Sequence, residues 1–144
     1  MHSDNPMNRP AIERRLRETR ADRLDDLWRQ ADDTRRREVG DEVHLRGLVE
    51  LSNHCVRGCR YCGIHAGNHA LPRYRMNAEE ILEAAQRAVE FEYGTVVLQA
   101  GEDPALDRPF IADVVRRLKE ELGLAVTLSL GERDEEDLAA WREA

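Results

Sequence analysis

Cys55, Cys59 and Cys62 are the residues of this chain best suited to chemistry, and they are its only cysteines. They stand as C-x3-C-x2-C in Cys55-Val56-Arg57-Gly58-Cys59-Arg60-Tyr61-Cys62. Three thiolates so close together cannot all pair with one another, and they fall short of the four ligands of a closed zinc site. They suit an iron–sulfur cube in which three irons take cysteine sulfur and the fourth keeps an open position, a place for chemistry as well as electron storage. His65 leaves an alternative open, because C-x3-C-x2-C-x2-H would supply a Cys3His zinc site. Two Gly-Glu pairs, Gly101-Glu102 and Gly131-Glu132, follow later in the chain.

These residues need elements to position them. Residues 1–10 carry no periodic pattern and read as a disordered lead. Residues 11–40 read as a helical segment running from Ala11 to about Arg37, with Ile12, Leu16, Leu24, Leu27, Trp28 and Ala31 on one stripe and Gly40 as its stop. Residues 41–144 then alternate. Val43–Leu51 reads as a strand that runs into the cysteine loop. Asn77 and Glu80 form a capping box for a helix from Ala78 to Tyr93, stopped at Gly94. Thr95–Ala100 is a short apolar strand, Pro109–Leu122 a helix stopped at Gly123, Leu124–Leu130 a strand, and a last helix starts near Asp134.

Apolar strands alternating with helices predict a parallel sheet with both faces covered. Three βα units fall well short of the ~250 residues of a closed eight-unit barrel. The expected fold is α/β, the N-terminal part of a larger barrel behind an N-terminal helix. In such barrels functional groups gather on loops leaving the C-terminal strand ends, and the cysteines and both Gly-Glu pairs obey that rule.

The bulk properties exclude other classes. The net charge of −7 argues against nucleic acid or an anionic membrane as partner. The chain has no long apolar run and no apolar signal core, and its clustered thiols fit a reducing cytoplasm.

The triplet with Tyr61 directly before its third cysteine resembles the signature of the radical S-adenosylmethionine (radical SAM) superfamily. The resemblance implies a 4Fe-4S cluster on Cys55, Cys59 and Cys62, with S-adenosylmethionine chelated at the open iron. It implies that Gly101 and Glu102 bind the methionine amino group, and that the Tyr61 backbone meets the adenine edge while its ring packs near the cluster. Ser129, alternating with Thr127 on the third strand, would point toward the barrel lumen and contact the cofactor. Arg57 and Arg60 would offset the cluster's charge, and Glu132 would touch ligand or cap the last helix.

Val43–Asn53, Arg73–Met76, Val97–Asp103 and Val126–Glu132 closely resemble the HydE family, maturases of the FeFe-hydrogenase H-cluster. That implies reductive cleavage to a 5′-deoxyadenosyl radical, a small-molecule or organometallic substrate, a one-electron donor such as a flavodoxin or ferredoxin, and other hydrogenase maturases as possible partners. Biotin synthase-like or methylornithine synthase-like chemistry on a small metabolite is the nearest alternative. A non-catalytic metal-binding fragment is another.

Overall fold

The computed structural model describes residues 8–144. The described residues divide into two compact units, one ending at Val43 and the other running from His44 to Ala144. In the first, the expected single helix is two: α1 (Arg9–Leu16) and α2 (Ala21–Glu38). Asn8 caps α1 by accepting from the Ala11 N–H at 3.0 Å. The break has a local cause. The Glu18 carboxylate accepts from the N–H groups of Thr19 (3.1 Å) and Arg20 (3.0 Å), so these donors are satisfied without a continuous helix. Residues 1–7 of the expected lead lie outside the described residues, and Arg9 and Pro10 are already helical. The helix does end ahead of Gly40, which takes a φ of +88°.

The second unit runs β1 (Gly47–Ser52), α3 (Ala78–Glu90), β2 (Thr95–Ala100), α4 (Arg108–Leu122), β3 (Ala125–Ser129) and α5 (Glu135–Glu143). The strands form one parallel sheet in the order β1-β2-β3. β1 starts later than the pattern predicts. Its ladder to β2 begins at Gly47 opposite Val96, and Val43 and Leu45, without ladder partners, stay exposed. α3 also stops earlier. The N–H groups of Glu92 and Tyr93 bond back to the Val89 and Ala88 carbonyls at 2.9 and 2.8 Å, which closes a Schellman motif. Glu92 holds the left-handed position, φ 59°, that Gly94 was expected to supply. The other caps are Asn77 with Glu80 on α3, Asp107 on α4, Gly123 after α4, and Asp134 on α5.

Within this unit, helices cover one sheet face only, where the strand pattern predicts two. Val49 and Leu51 of β1 and Val96 and Leu98 of β2 pack beneath α3 and α4 with Ile81, Ile111 and Leu118. At Gly47 the approach is so close that a Cβ would lie 2.7 Å from the Ala88 Cβ. The alternate residues point the other way: in register, Leu48-Val97-Thr127 and Glu50-Gln99-Ser129 form two rows on the uncovered face. Period-two burial therefore coexists with the strands' apolar composition, because the second face carries a mixture of apolar and polar side chains.

Candidate functional site

Parallel pairing places the three strand C-termini at one edge, and each leads directly into residues singled out by their chemistry. β1 ends in a register shift between Glu50 and Ser52. A bulge there bends the strand as it leaves the sheet. The cysteine loop departs at Asn53 and returns beside its own start. Asn53 N–H donates to the Tyr74 carbonyl (3.3 Å) and Met76 N–H to the Leu51 carbonyl (2.8 Å). The Asn53 side chain closes the same neck, donating to the Pro72 carbonyl at 2.8 Å and accepting from Tyr74 N–H at 2.7 Å.

Arg73 pins the loop from within. Its guanidinium donates to the carbonyls of Asn53, Ile64 (2.8 Å), His65 (2.8 Å) and Asn68 (3.2 Å). A planar fork suits this task, because several fixed donors leave one rigid group in different directions.

The loop after β2 packs onto the cysteine loop. Val56 N–H donates to the Glu102 carbonyl at 3.0 Å, and Gly101 N–H to the Ser52 carbonyl at 3.2 Å. A Cβ on Gly101 would stand 2.8 Å from the Cys55 Cβ and closer still to the His54 carbonyl oxygen. Only glycine permits that approach. The loop after β3 arrives from the other side. Gly131, at φ +82°, leaves no room for a Cβ, which would lie 2.7 Å from the Glu102 Cγ.

Two charged networks hold these three loops together. In the outer one, Arg57 Nε meets Glu102 Oε2 at 2.7 Å and Arg57 Nη2 meets Glu132 Oε2 at 2.5 Å. Glu132 N–H also donates to Glu102 Oε2 at 3.4 Å. The Glu102 carboxyl is held below its ordinary range, first by the Arg57 hydrogen bond, which outweighs the opposing effect of burial, and further by Glu132 N–H. In the inner network, Asp103 is 2% exposed. Its carboxylate accepts from Arg75 Nε (2.8 Å), Arg75 Nη2 (2.9 Å), Ser52 Oγ (2.7 Å) and Ala105 N–H (3.1 Å). Burial alone would raise the Asp103 carboxyl, but Arg75, Ser52 and Ala105 reverse the effect and bring it down to about 2. Ser52 Oγ in turn accepts from His54 N–H at 3.1 Å, directly before the first cysteine. Arg133 ties the β2 and β3 loops, donating to the Asp103, Leu106 and Leu130 carbonyls while lying over Trp141.

All three thiols are free and half-buried. Cys55 Sγ accepts from Arg57 N–H at 3.4 Å, and a turn joins Cys62 N–H to the Cys59 carbonyl at 3.2 Å. Among the described residues, no three histidine, cysteine or acidic side chains are grouped around a single ion position. His65 accepts from Gly67 N–H at Nδ1, 3.1 Å. Three unpaired thiols on one anchored loop fit a cube, in which each sulfur binds a different iron.

The structure thus brings Gly101 against Cys55 and joins the Glu102 carbonyl to Val56 N–H. It does not place Tyr61 against them, since that residue is 93% exposed. Ser129 sits at the end of β3 on the uncovered face, opposite Gln99. Near it a cavity of about 200 Å³ lies between that face and the cysteine loop, lined in part by Glu50, Ile64, Leu71, Tyr74 and Gln99. A larger groove, about 530 Å³, runs between β1 and α3, away from the cysteines. Sequence reasoning missed the roles of Arg57, Arg73, Arg75 and Asp103. The only signal was the Arg-Tyr-Arg-Met stretch itself. Glu132 does not cap α5, a role taken by Asp134, whose side chain accepts from Asp137 N–H at 2.7 Å.

The chain is similar to several known proteins. Residues 49–144 match the Radical SAM superfamily. The [FeFe] hydrogenase maturase subunit HydE of Thermotoga maritima is 50% identical over 118 residues, 82% of this chain and 34% of that protein. A 3-methylornithine synthase of Methanosarcina barkeri is 32% identical over 83% of this chain and 35% of its own length. The chain spans about a third of these two relatives. Among solved structures, methylornithine synthase superposes with a TM-score of 0.83 at 29% identity, covering 93% of this chain and 40% of its own. The fold of HydG, a maturase of the [FeFe]-hydrogenase, matches with a TM-score of 0.80 at 22% identity, over 90% of this chain and 30% of that one. The three βα units correspond to the N-terminal part of the barrel in such enzymes. Members of the superfamily bind a 4Fe-4S cluster and S-adenosylmethionine. On the family match across residues 49–144 and the cysteine loop it contains, this chain belongs to the radical SAM superfamily.

Proposed function

We propose that the chain carries the cofactor end of a radical SAM enzyme of FeFe-hydrogenase maturation. Cys55, Cys59 and Cys62 would hold the 4Fe-4S cluster. Glu102 would accept the methionine ammonium of S-adenosylmethionine, with Gly101 allowing the close approach of backbone. The Tyr61 backbone and Ser129 are assigned to the same cofactor. When bound, the pair supplies one-electron cleavage of the sulfonium to methionine and a 5′-deoxyadenosyl radical.

The protein's own part is orientation and shielding. The Arg73 fork and the Asp103 network fix the loop that presents the thiols. Arg57 and the Glu132 N–H keep Glu102 ionised, ready for a cation. The cavity beneath the cysteine loop offers space for a substrate on the uncovered sheet face.

The single observation that carries the reading is the packing of Gly101-Glu102 on Cys55, through the Val56–Glu102 hydrogen bond and the absent Cβ of Gly101. The 50% identity to HydE favours hydrogenase maturation. The 0.83 superposition with methylornithine synthase keeps small-metabolite chemistry as the second reading. The electron donor would be a flavodoxin or ferredoxin, other maturases would be partners, and the reducing cytoplasm would be the compartment.

Glu102→Gln tests the site. Cluster content should be kept, while S-adenosylmethionine binding weakens by about 1.5–3 kcal/mol, the scale of a hydrogen bond to a charged group. Equal affinity in variant and parent would remove Glu102 from the site. Maturation of hydrogenase in an extract lacking its own HydE, restored on adding this protein, would separate the two readings of substrate.

A further inference from the structure

Between two of the cysteines, Arg57 places its guanidinium on the same Glu102 oxygen that the proposed function assigns to the cofactor's ammonium. Two cations cannot both sit in contact with that oxygen along one direction. The local charge suggests how the conflict resolves. Glu102 and Glu132 are two carboxylates served here by Arg57 alone, which leaves the trio net negative. Arg133, whose charge also acts on Glu102, has its fork committed to three backbone carbonyls. The partners also differ in freedom: the Glu102 side chain is 19% exposed, but that of Glu132 is 85% exposed. The Arg57 backbone is fixed, with its carbonyl accepting from Ala66 N–H at 2.8 Å. Its side chain, 46% exposed, has no such anchor apart from the two carboxylates.

We infer that Arg57 is a latch that occupies the ammonium position on Glu102 in the cofactor-free protein and swings onto Glu132 alone when S-adenosylmethionine binds. The latch is a positioning residue. It keeps a buried-edge carboxylate paired while the site is empty and hands it over by exchange of one cation for another. Glu132 serves as the parking partner, so the cation released from Glu102 stays neutralised. The inference rests on the reading of Glu102 given above.

The test is anaerobic equilibrium dialysis of S-adenosylmethionine against cluster-loaded protein, with iron content and the reduced-cluster electron paramagnetic resonance signal as controls for loading. Arg57→Gln removes the competitor and should tighten binding by about two- to five-fold, the value of a partly exposed ion pair. Glu132→Gln removes the parking partner and should weaken binding by a similar factor. The double variant should behave like Arg57→Gln, because without the latch there is nothing to park. Arg57→Lys should restore near-parental affinity. Weaker binding in Arg57→Gln would overturn the latch and make Arg57 a direct cofactor contact. Unchanged affinity in both single variants would overturn it too. Loss of the cluster in Arg57→Gln but not in Arg57→Lys would place the charge in the loop's architecture instead, again against the latch. If Glu102→Gln leaves affinity unchanged, the reading of the site itself fails. If Glu102→Gln weakens binding and Arg57→Gln does not tighten it, the latch alone fails.

Discussion

Asp103→Asn is the substitution whose effect follows most directly from the geometry. The carboxylate is 2% exposed and accepts four hydrogen bonds, two of them from Arg75. Asparagine has the same size but turns one acceptor oxygen into a donor. That donor must face Arg75 or Ser52, which are themselves donors here. Stranding one partner of a fully buried ion pair costs about 3–5 kcal/mol. Arg75 keeps 36% of its side chain in solvent, so water offsets part of that loss. The expected destabilisation is about 2–3 kcal/mol, read by urea denaturation at neutral pH with an unchanged m-value. Acid supplies an internal check. The carboxyl falls from an ordinary 3.8 to about 2 in the folded protein. A folded value below the unfolded one means that ionisation stabilises the fold fully above about pH 4 and that this stability is lost as pH falls through about 2. At 1.36 kcal/mol per unit that share is about 2 kcal/mol. The gap between parent and Asp103→Asn should therefore narrow as pH falls from 4 toward 2. A gap under about 0.5 kcal/mol at neutral pH, or one indifferent to acid, would refute the reasoning.

Gly101→Ala should cost about 1–3 kcal/mol and lower iron uptake, because its methyl group must displace the His54 carbonyl or Cys55; uptake equal to the parent would show that the loops need not touch. Arg73→Met should cost at least about 2 kcal/mol by stranding carbonyls of the cysteine loop, with Arg73→Lys only a partial rescue because an ammonium lacks the fork. Both are read by denaturation and iron content. The 144-residue chain by itself should self-associate, since Leu48 on the uncovered sheet face is open to solvent and Val97 beside it is only half-buried; a monodisperse monomer by light scattering would count against that.

The three βα units were legible because each rests on local chemistry: a side-chain cap at Asn77, a helix start near Asp134, a stop at Gly123, and apolar runs of strand length; the Asp107 cap of α4 was not read. Two other local features were not. The break between α1 and α2 depends on which way the Glu18 carboxylate turns, and the stop of α3 on a glutamate adopting a conformation that glycine usually supplies. The cysteines and Gly101-Glu102 were legible as a motif, but the parts that assemble them were not. Arg57, Arg73, Arg75 and Arg133 look like the many solvated arginines elsewhere in the chain. Their partners lie up to 75 residues away, at Glu132 for Arg57, and long-range pairing leaves no mark in composition or period. Asp103 stood in the sequence only as the end of the Val97–Asp103 stretch, whereas its burial is set by β1 and Arg75 arriving from other segments.

The central claim is that Cys55, Cys59 and Cys62 hold a cluster with one open iron for S-adenosylmethionine. Electron paramagnetic resonance of the dithionite-reduced, anaerobically reconstituted protein, recorded with and without S-adenosylmethionine, tests it most directly. The account predicts a four-iron signal that shifts on adding S-adenosylmethionine and disappears when any one of the three cysteines becomes alanine. A signal indifferent to S-adenosylmethionine, or a protein that takes up zinc and no iron, would contradict it.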